Sequence, residues 1–327
     1  MTFYLQQRRA TVALMVALGL GMAMPTPVRA QARFPSQPIR IILPFGAGGL
    51  ADISVRLISQ KLSERIGQGV IVENRPGAGG VVAGNAAINA PHDGHTLILF
   101  ANGTAIATSL FKLPFDPVAD FVPITSMAWF DLVLLTKGDG PLKSLADVQT
   151  AARSRMLNLG SINPGSTQNL SAELFKNRAQ INALVIPFKS TPEVVTGILR
   201  GDIDVGFESY ATVKGHIDAG SLRAIAVTGK ERAPWLPHTP TVRESGVPSY
   251  EVTGWNALFA AAGTPPDVVQ FLNRNINDVL KMPEVKSRLL ELGTVARGNS
   301  SDEMAALFAS DIAKWAAVIQ QAGIQKQ

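Results

Sequence analysis

Apolar residues recur in short uninterrupted runs along the chain, and each run is followed by a polar or glycine-rich turn and then by an amphipathic stretch. The first run, Ile39–Leu43, is typical of a strand that is buried on both faces. After the turn, apolar residues return at helical spacing over residues 53–66. Strand-like runs follow at Val70–Asn74 and residues 96–100, and small-residue helical segments lie between them. This alternation predicts an α/β fold with parallel strands.

The same alternation restarts in the second half of the chain. An apolar run at residues 132–136 leads into a polar crossover, and a predicted helix, a short strand and a polar loop then occupy residues 145–155, 157–159 and 160–167. Further strands are predicted at residues 185–188, 202–209, 222–228 and 255–261, and the remainder up to residue 321 is predicted to be helical. A chain of this length exceeds one usual core, so we expect two α/β domains.

The N-terminus has the pattern of a secretory signal peptide. Arg8 and Arg9 precede an apolar run at residues 10–24, and small residues Ala30 and Ala32 offer two cleavage sites. The apolar run is shorter than the roughly 20 residues that span a bilayer. The chain has no cysteine, which excludes disulfides, thiolate metal sites and a lipid-modified cysteine. We therefore predict a protein that is released into the periplasm.

Charge gives no indication of a nucleic-acid partner. Removing residues 1–30 deletes three arginines and no acidic residue, so the formal charge falls from +5 to +2. No basic run and no alternation of basic and aromatic residues remains. A protein that binds nucleic acid is therefore not expected.

The turn after the first strand is the strongest candidate for a binding site. Gly46, Gly48 and Gly49 allow backbone N–H groups to face a ligand, and the following helix begins there with its positive end. A carboxylate or phosphate would fit this junction. Gly46, Gly48 and Ala51 also satisfy the dinucleotide pattern G-x-G-x-x-G/A, and Glu73 closes the next apolar run. A purely structural turn is the third alternative, and the turn alone does not separate the three.

No catalytic constellation is evident from the sequence. Ser166 has no histidine nearby, and no G-x-S-x-G elbow occurs. His92 and His95 flank a short turn, which gives at most two metal ligands, and solvated turn residues are the simpler interpretation. Asp202 and Asp204 alternate on a predicted strand, as paired acids do, but a charged strand end has the same pattern. We predict no catalytic residue, no metal and no cofactor.

Seven segments are distinctive when they are taken together and in order. They are residues 39–56 (IRIILPFGAGGLADISVR), 72–80 (VENRPGAGG), 93–97 (DGHTL), 112–123 (KLPFDPVADFVP), 172–175 (AELF), 222–228 (LRAIAVT) and 261–265 (AAGTP). In this order they resemble the Bug family, the periplasmic solute-binding proteins of tripartite tricarboxylate transporters. The resemblance implies a type II periplasmic-binding-protein fold, in which two α/β domains joined by two crossing strands close over a small carboxylate. It implies a signal peptide at residues 1–32, a first domain at 33–135 with 256–327, and a second domain at 136–255.

The resemblance also implies the ligand-binding loops. The second loop of the family matches Gly160, Ser161, Gly165 and Ser166 here, whereas Asn163 replaces a glycine and Asn169 replaces a histidine. Polar residues after the third strand, the segment around residue 188 and an acid after the strand DVGF complete the expected site. The predicted ligand-binding residues are Phe45, Gly46, Ala47, Gly48, Gly49, Asp52, Asn102, Thr104, Ser161, Asn163, Gly165, Ser166, Asn169, Phe188, Lys189 and Glu208. Asp52 is expected to cap the first turn, because a carboxylate beside an anionic ligand would repel it.

The sequence thus predicts a binding protein that is not an enzyme. It would hold a small organic carboxylate between two lobes, act as a monomer, and deliver the ligand to integral membrane permease subunits or present it to a sensor protein. The alternative is an exported NAD-dependent dehydrogenase that uses Gly46, Gly48, Ala51 and Glu73. Departures from the family pattern, among them Asn163, leave the identity of the carboxylate open.

Overall fold

The computed structural model describes residues 34–48, 50–77, 80–162 and 166–326. The predicted signal peptide at residues 1–32 therefore lies outside the described residues, as do Gly49, Asn163 and Gly165 of the predicted site. Residues 37–327 form one compact unit, and only residues 34–36 of the preceding unit are described.

The first part of this unit has the predicted order of strands and helices. Its elements are β1 (Ile39–Leu43), α1 (Leu50–Ile66), β2 (Val70–Asn74), α2 (Val81–Ile88), β3 (Thr96–Ala101), α3 (Asn102–Leu110) and β4 (Phe121–Lys137). β1 pairs in parallel with both β2 and β3, and its apolar residues are fully buried. The predicted polar loop at residues 102–104 is instead the first turn of α3. This helix can start directly after the strand because the hydroxyl of Thr104 accepts the Ala101 N–H at 3.2 Å.

The second part repeats the pattern of alternating strands and helices. Its elements are α4 (Leu145–Ser154), β5 (Leu157–Ile162), α5 (Thr167–Ala179), β6 (Ala183–Phe188), α6 (Thr191–Arg200), β7 (Val205–Ser209), α7 (Tyr210–Asp218) and β8 (Leu222–Val227). β5 pairs in parallel with β6 and β7. The strand predicted from residue 202 begins at Val205. Asp204 precedes it and is tied by Arg155 (Nη2 to Oδ1, 2.6 Å) and by the N–H of Asn158 (2.8 Å), so it has a structural role.

The chain then returns to the first part. The elements are β9 (Thr253–Ala261), α8 (Pro266–Lys281), α9 (Pro283–Glu291), β10 (Val295–Ala296) and α10 (Ser301–Gln321). β9 lies between β3 and β4 and is antiparallel to both. α8 packs against α1 and β4, whereas α10 packs chiefly against α3 and β4 and also contacts α5.

Strand β4 joins the two parts of the sheet. Residues 121–131 pair with β9, and residues 132–137 pair with β7 and β8. The strand is much longer than the predicted run at residues 132–136. Pro123 led to the prediction of an irregular stretch before that run, because proline is normally excluded from a strand interior. A register shift after Pro123 accommodates it in the sheet. The partners change between Asp131 and Leu132. The predicted domain boundary lies four residues later, and the division into domains itself stays a prediction.

We call β1, β2, β3, β9, β10 and residues 121–131 the first sheet segment. The second sheet segment consists of β5, β6, β7, β8 and residues 132–137. The strand order β2-β1-β3-β9-β4-β7-β5-β6 runs through both segments, and β8 and β10 pair with β4 outside this path.

The register brings the carboxyl ends of the parallel strands in the two segments towards each other. β3 ends at Ala101, which lies opposite Asn256 of β9, and Asn256 lies opposite Ala128 of β4. β7 ends at Ser209, which pairs with Leu132 of β4. β4 is parallel to β3 but antiparallel to β7, so the two sets of carboxyl ends face each other. Leu132 lies four residues after Ala128 along β4, a distance of about 13 Å.

Candidate ligand-binding site

The turn between β1 and α1 is held by one buried carboxylate. Oδ2 of Asp52 accepts the N–H of Gly48 at 2.9 Å, and Oδ1 accepts Nε of Arg56 at 3.0 Å and Nδ2 of Asn74 at 2.9 Å. The same Asn74 amide also donates to the carbonyl of Phe45 at 3.0 Å. Asp52 is only 3% exposed, and both of its oxygens are used inside the protein. It therefore orders the turn, as the expected capping role requires.

The backbone of this turn is available from outside. Residues 45–48 are exposed, and the N–H groups of Gly46 and Ala47 donate to no acceptor among the described residues. Gly48 has φ +83°, a left-handed conformation that favours glycine. A Cβ atom added at Gly46 would meet nothing within 4 Å. The turn thus offers free donors at the N-terminal end of α1, where the first N–H groups of a helix also lack partners.

The charge of Asp52 contributes to stability. The hydrogen bond from Arg56, together with those from Gly48 and Asn74, outweighs burial and lowers the pKa of Asp52 to about 2. Relative to an ordinary value of 3.8, such a shift corresponds to at most about 2 kcal/mol. Solvent screens part of it, because the Arg56 side chain is 48% exposed.

Asp52→Asn is therefore expected to lower the free energy of unfolding by up to about 2 kcal/mol at pH 7. A lowered carboxyl pKa stabilises the fold above the unfolded pKa and loses this effect as the pH falls through the folded pKa. The difference between wild type and variant should thus be constant from pH 8 to about pH 5 and vanish between about pH 4 and pH 2. Urea unfolding at a series of pH values measures it. A difference that persists unchanged at pH 2 would contradict the role of the charge.

The described residues on either side of the corresponding turn in the second sheet segment are joined by side-chain hydrogen bonds. The hydroxyl of Ser166 caps α5 by accepting the Asn169 N–H at 3.1 Å, and it donates to the carbonyl of Ile162 at 2.5 Å. The Asn169 amide donates to Oγ of Ser161 at 3.2 Å. Ser161 is fully buried and Asn169 nearly so, whereas Ser166 is half-buried. Of these three predicted ligand contacts, only Ser166 lies at the surface.

A hydrogen-bond chain links the start of α3 with the start of α5. The Thr167 hydroxyl, at the start of α5, donates to Oδ1 of Asn102 at 2.9 Å, and Nδ2 of Asn102 donates to Oδ2 of Asp311 at 3.0 Å. The same Asp311 oxygen accepts Nε1 of Trp255 at 2.6 Å. Asn102 is 1% exposed and both ends of its amide are occupied, so it connects α3 of the first sheet segment with α5 of the second.

Sequence reasoning missed three members of this chain: Thr167, Asp311 and Trp255. A signal existed for Asp311, because it interrupts the apolar face of α10 between Phe308 and Trp315. Burial raises the pKa of Asp311, and the hydrogen bond from Trp255 opposes this shift. An acid at a core position of a helix requires buried donors, and here Trp255 and Asn102 provide them.

Glu208 is the buried acid of the second sheet segment. It lies near the carboxyl end of β7 and is 0% exposed. Its Oε2 accepts the hydroxyl of Thr191, at the start of α6, at 2.9 Å. Burial raises the pKa of Glu208 to about 7, although Thr191, the Ser209 N–H and the Gln168 side chain oppose the shift.

The other predicted residues near α6 are placed differently. Phe188 packs on α6 and lines a surface pocket of about 340 Å³ together with Pro192 and Arg200. Lys189 is exposed, and its N–H donates to Oε2 of Glu193 at 3.1 Å. The contact of these two residues with a ligand stays a prediction.

The two histidines of the predicted turn do not share a site. His92 contacts the carbonyl of Ile88 (Nε2 to O, 3.1 Å), whereas His95 faces Asp93 (Nδ1 to Oδ1, 3.2 Å), so the two rings have separate partners. Within the described ranges no group of three potential metal ligands occurs.

None of the helices described here is long and apolar enough to cross a membrane.

Glu73, the acid of the dinucleotide alternative, is paired with two arginines. Its carboxylate lies 3.4 Å from Nη1 of Arg40 and 2.6 Å from Nη2 of Arg75. The same carboxylate would have to bind a ribose hydroxyl in a dinucleotide site. The two ion pairs with Arg40 and Arg75 are enough to explain why an acid stands at this position.

Comparison with known proteins identifies the family. The family model described as "Tripartite tricarboxylate transporter family receptor" matches residues 54–324. Protein BugT of Bordetella pertussis is 31% identical over 318 residues, which cover 95% of this chain and 97% of BugT. The structure of R. palustris Rpa4515 with adipate has a TM-score of 0.77 and 32% sequence identity, and the match covers 89% of this chain and 99% of that one. MatC (Rpa3494) from Rhodopseudomonas palustris with bound malate has a TM-score of 0.72 and 30% identity, with 88% and 100% covered.

These likenesses confirm the predicted periplasmic-binding-protein fold and the family resemblance. They also decide between the two functional alternatives, since the matched proteins are solute receptors and the dehydrogenase interpretation is not retained. The chain belongs to the Bug/TctC family of tripartite tricarboxylate transporter receptors, which are binding proteins and not enzymes.

Proposed function

We propose that this protein captures a small organic carboxylate in the periplasm and delivers it to the membrane permease subunits of a tripartite tricarboxylate-type transporter. One observation carries the proposal. The carboxyl ends of β3 and β7 face each other across about 13 Å of β4, a gap that suits a small molecule. α1 and α5 follow β1 and β5, which are the neighbours of β3 and β7 in the sheet. The solved relatives Rpa4515 and MatC hold adipate and malate, which are both carboxylates.

One carboxylate of the ligand binds the first turn in this proposal. The free N–H groups of Gly46 and Ala47 and the N-terminal end of α1 supply donors, whereas Asp52 holds the turn from behind. Each charge-assisted hydrogen bond contributes about 1.5–3 kcal/mol. Phe45, Gly48 and the undescribed Gly49 complete this side of the site.

The far end of the ligand meets the second sheet segment. Ser166, Lys189 and the undescribed residues Asn163 and Gly165 are the proposed contacts. Thr104 of α3 is a further proposed contact. Asn102, Ser161 and Asn169 are already hydrogen-bonded within the protein, so we assign them the positioning of the N-terminal ends of α3 and α5. A ligand that bridges both turns favours the closed state, because only contacts that differ between two states shift their equilibrium.

The proposed route to the periplasm is the signal peptide at residues 1–32, with cleavage after Ala30 or Ala32. The released protein acts as a monomer. Uptake through the permease is the proposed role, and presentation of the ligand to a sensor protein is the second role that the same binding event would allow.

A thermal-shift screen of the purified exported protein tests the proposal. The compounds are mono-, di- and tricarboxylates, aromatic acids and amino acids, each paired with its neutral amide. At 100 times its dissociation constant, a ligand that binds only the folded state adds about 2.7 kcal/mol to the apparent stability. We expect at least one acid, and not its amide, to raise the melting temperature by several degrees. No shift with any acid, or equal shifts with the amides, would contradict the proposal.

A further inference from the structure

Glu208 is a buried acid whose charge is not balanced by a cation among the described residues. Oε2 accepts one hydrogen bond, from Thr191, whereas Oε1 makes no hydrogen bond of normal geometry in the same part of the chain. The Ser209 N–H and the Gln168 side chain lie near enough to stabilise the ionised form, but both groups are neutral. No lysine, arginine or histidine of the described chain forms an ion pair with Glu208. A fully buried carboxylate in this situation lacks a donor.

Glu208 lies close to the N-terminal ends of two helices, α5 and α6. Its hydrogen-bonding partner Thr191 is the first residue of α6, and Gln168 lies in the first turn of α5. The N-terminal ends of both helices carry a partial positive charge that favours an anion. Glu208 therefore lies beside the first turns of α5 and α6 and contacts a side chain of each.

The two ends of the proposed ligand site consequently differ in charge. In the first turn both oxygens of Asp52 are bonded internally, and the N–H groups of Gly46 and Ala47 have no acceptor among the described residues. In the second sheet segment an unpartnered carboxylate oxygen is buried. Two ionised carboxylates about 4 Å apart repel each other by several kcal/mol at the effective dielectric constant of a protein interior.

We infer that Glu208 makes the second end of the ligand site a hydrogen-bond acceptor, so that the preferred ligand is a monocarboxylate with a hydroxyl or ammonium group at its far end and not a second ionised carboxylate. This inference rests on the proposed function and specifies its ligand class. The first carboxylate binds the turn at Gly46, and the distal donor supplies the partner that Oε1 lacks. The raised pKa of Glu208 is consistent with this lack of a donor in the unliganded protein.

Calorimetric titration with four matched series of compounds tests the inference. The series are straight-chain monocarboxylates of three to six carbons, their ω-hydroxy and ω-amino derivatives, and the α,ω-dicarboxylates of the same lengths. At the chain length that binds best, the hydroxy or amino acid is expected to bind at least tenfold more tightly than the dicarboxylate. A dicarboxylate that binds as tightly as both donor-bearing acids overturns the inference and leaves the proposed function intact. Absence of binding by every acid overturns both.

Two variants test whether Glu208 itself causes the preference for a ligand with a distal donor. Glu208→Gln keeps the shape and removes the charge, so it is expected to reduce the tenfold preference to less than threefold, mainly through tighter binding of the dicarboxylate. Glu231→Gln removes the same charge from an exposed position of the same part of the chain and should leave the preference unchanged. Circular dichroism and the melting temperature check that both variants fold. An unchanged preference in folded Glu208→Gln, or an equal loss in Glu231→Gln, overturns the inference.

Discussion

Gly46→Leu is expected to weaken carboxylate binding at least a hundredfold while the fold is retained. The side chain would project from the turn into the space in which the proposed carboxylate lies and would cover the free N–H groups of Gly46 and Ala47. The backbone of Gly46 is not left-handed, and a Cβ atom there meets nothing within 4 Å. The substitution therefore introduces no strain, unlike a substitution at Gly48, whose φ is +83°.

The measurement is a titration of wild type and variant with the best acid from the screen. Gly215→Leu is the matched control, because Gly215 is exposed in α7 and a Cβ atom there also meets nothing within 4 Å. We expect wild-type affinity for Gly215→Leu, and melting temperatures of both variants close to that of the wild type. A hundredfold loss corresponds to about 2.7 kcal/mol. Retention of affinity in Gly46→Leu would place the carboxylate elsewhere.

Glu208→Gln is expected to make the unliganded protein more stable than the wild type at neutral pH. Burial raises the pKa of Glu208 from 4.5 to about 7, so the folded protein binds more protons than the unfolded chain between these values. The free energy of unfolding then falls as the pH rises through this interval and levels off above about pH 7. At 1.36 kcal/mol per pKa unit, the wild type loses at most about 3 kcal/mol of unfolding free energy relative to Glu208→Gln.

Chemical unfolding at pH 4.5, 6 and 8 measures this difference. Other buried acids, such as Asp131 with a pKa raised to about 6 by burial, titrate in both proteins and cancel in the comparison. Glu231→Gln, which removes the same charge from an exposed position, is measured alongside as the control. A wild type that becomes more stable than Glu208→Gln towards pH 8 would show that the buried carboxylate has a favourable partner.

Much of the fold could be predicted from local patterns. Buried parallel strands are continuous apolar runs, so β1, β2 and β3 were predicted close to their observed bounds. The long strand β4 was missed in part, because Pro123 normally excludes a strand interior and the register shifts that tolerate it depend on the partner β9. Helix α3 was predicted as a loop since Asn102, Gly103 and Thr104 are turn residues, and the capping hydrogen bond of Thr104 overrides that tendency.

The candidate site was predictable to a smaller extent. The family resemblance singled out Asp52, and charge repulsion predicted its capping role, which agrees with its three hydrogen bonds. The partners of Asn102 could not be predicted, because Thr167 and Asp311 are 65 and 209 residues away in sequence. The burial of Ser161 and its hydrogen bond from Asn169 could not be predicted either, because they depend on how α5 packs against β5.

A crystal structure with the tightest-binding acid from the screen tests the central claim most directly. The account predicts one carboxylate within about 3 Å of the N–H groups of Gly46 and Ala47. It predicts the far end of the same molecule in contact with the second sheet segment beside Ser166 or Glu208. A ligand that contacts only one sheet segment, or one that lies away from the turn after β1, would contradict it.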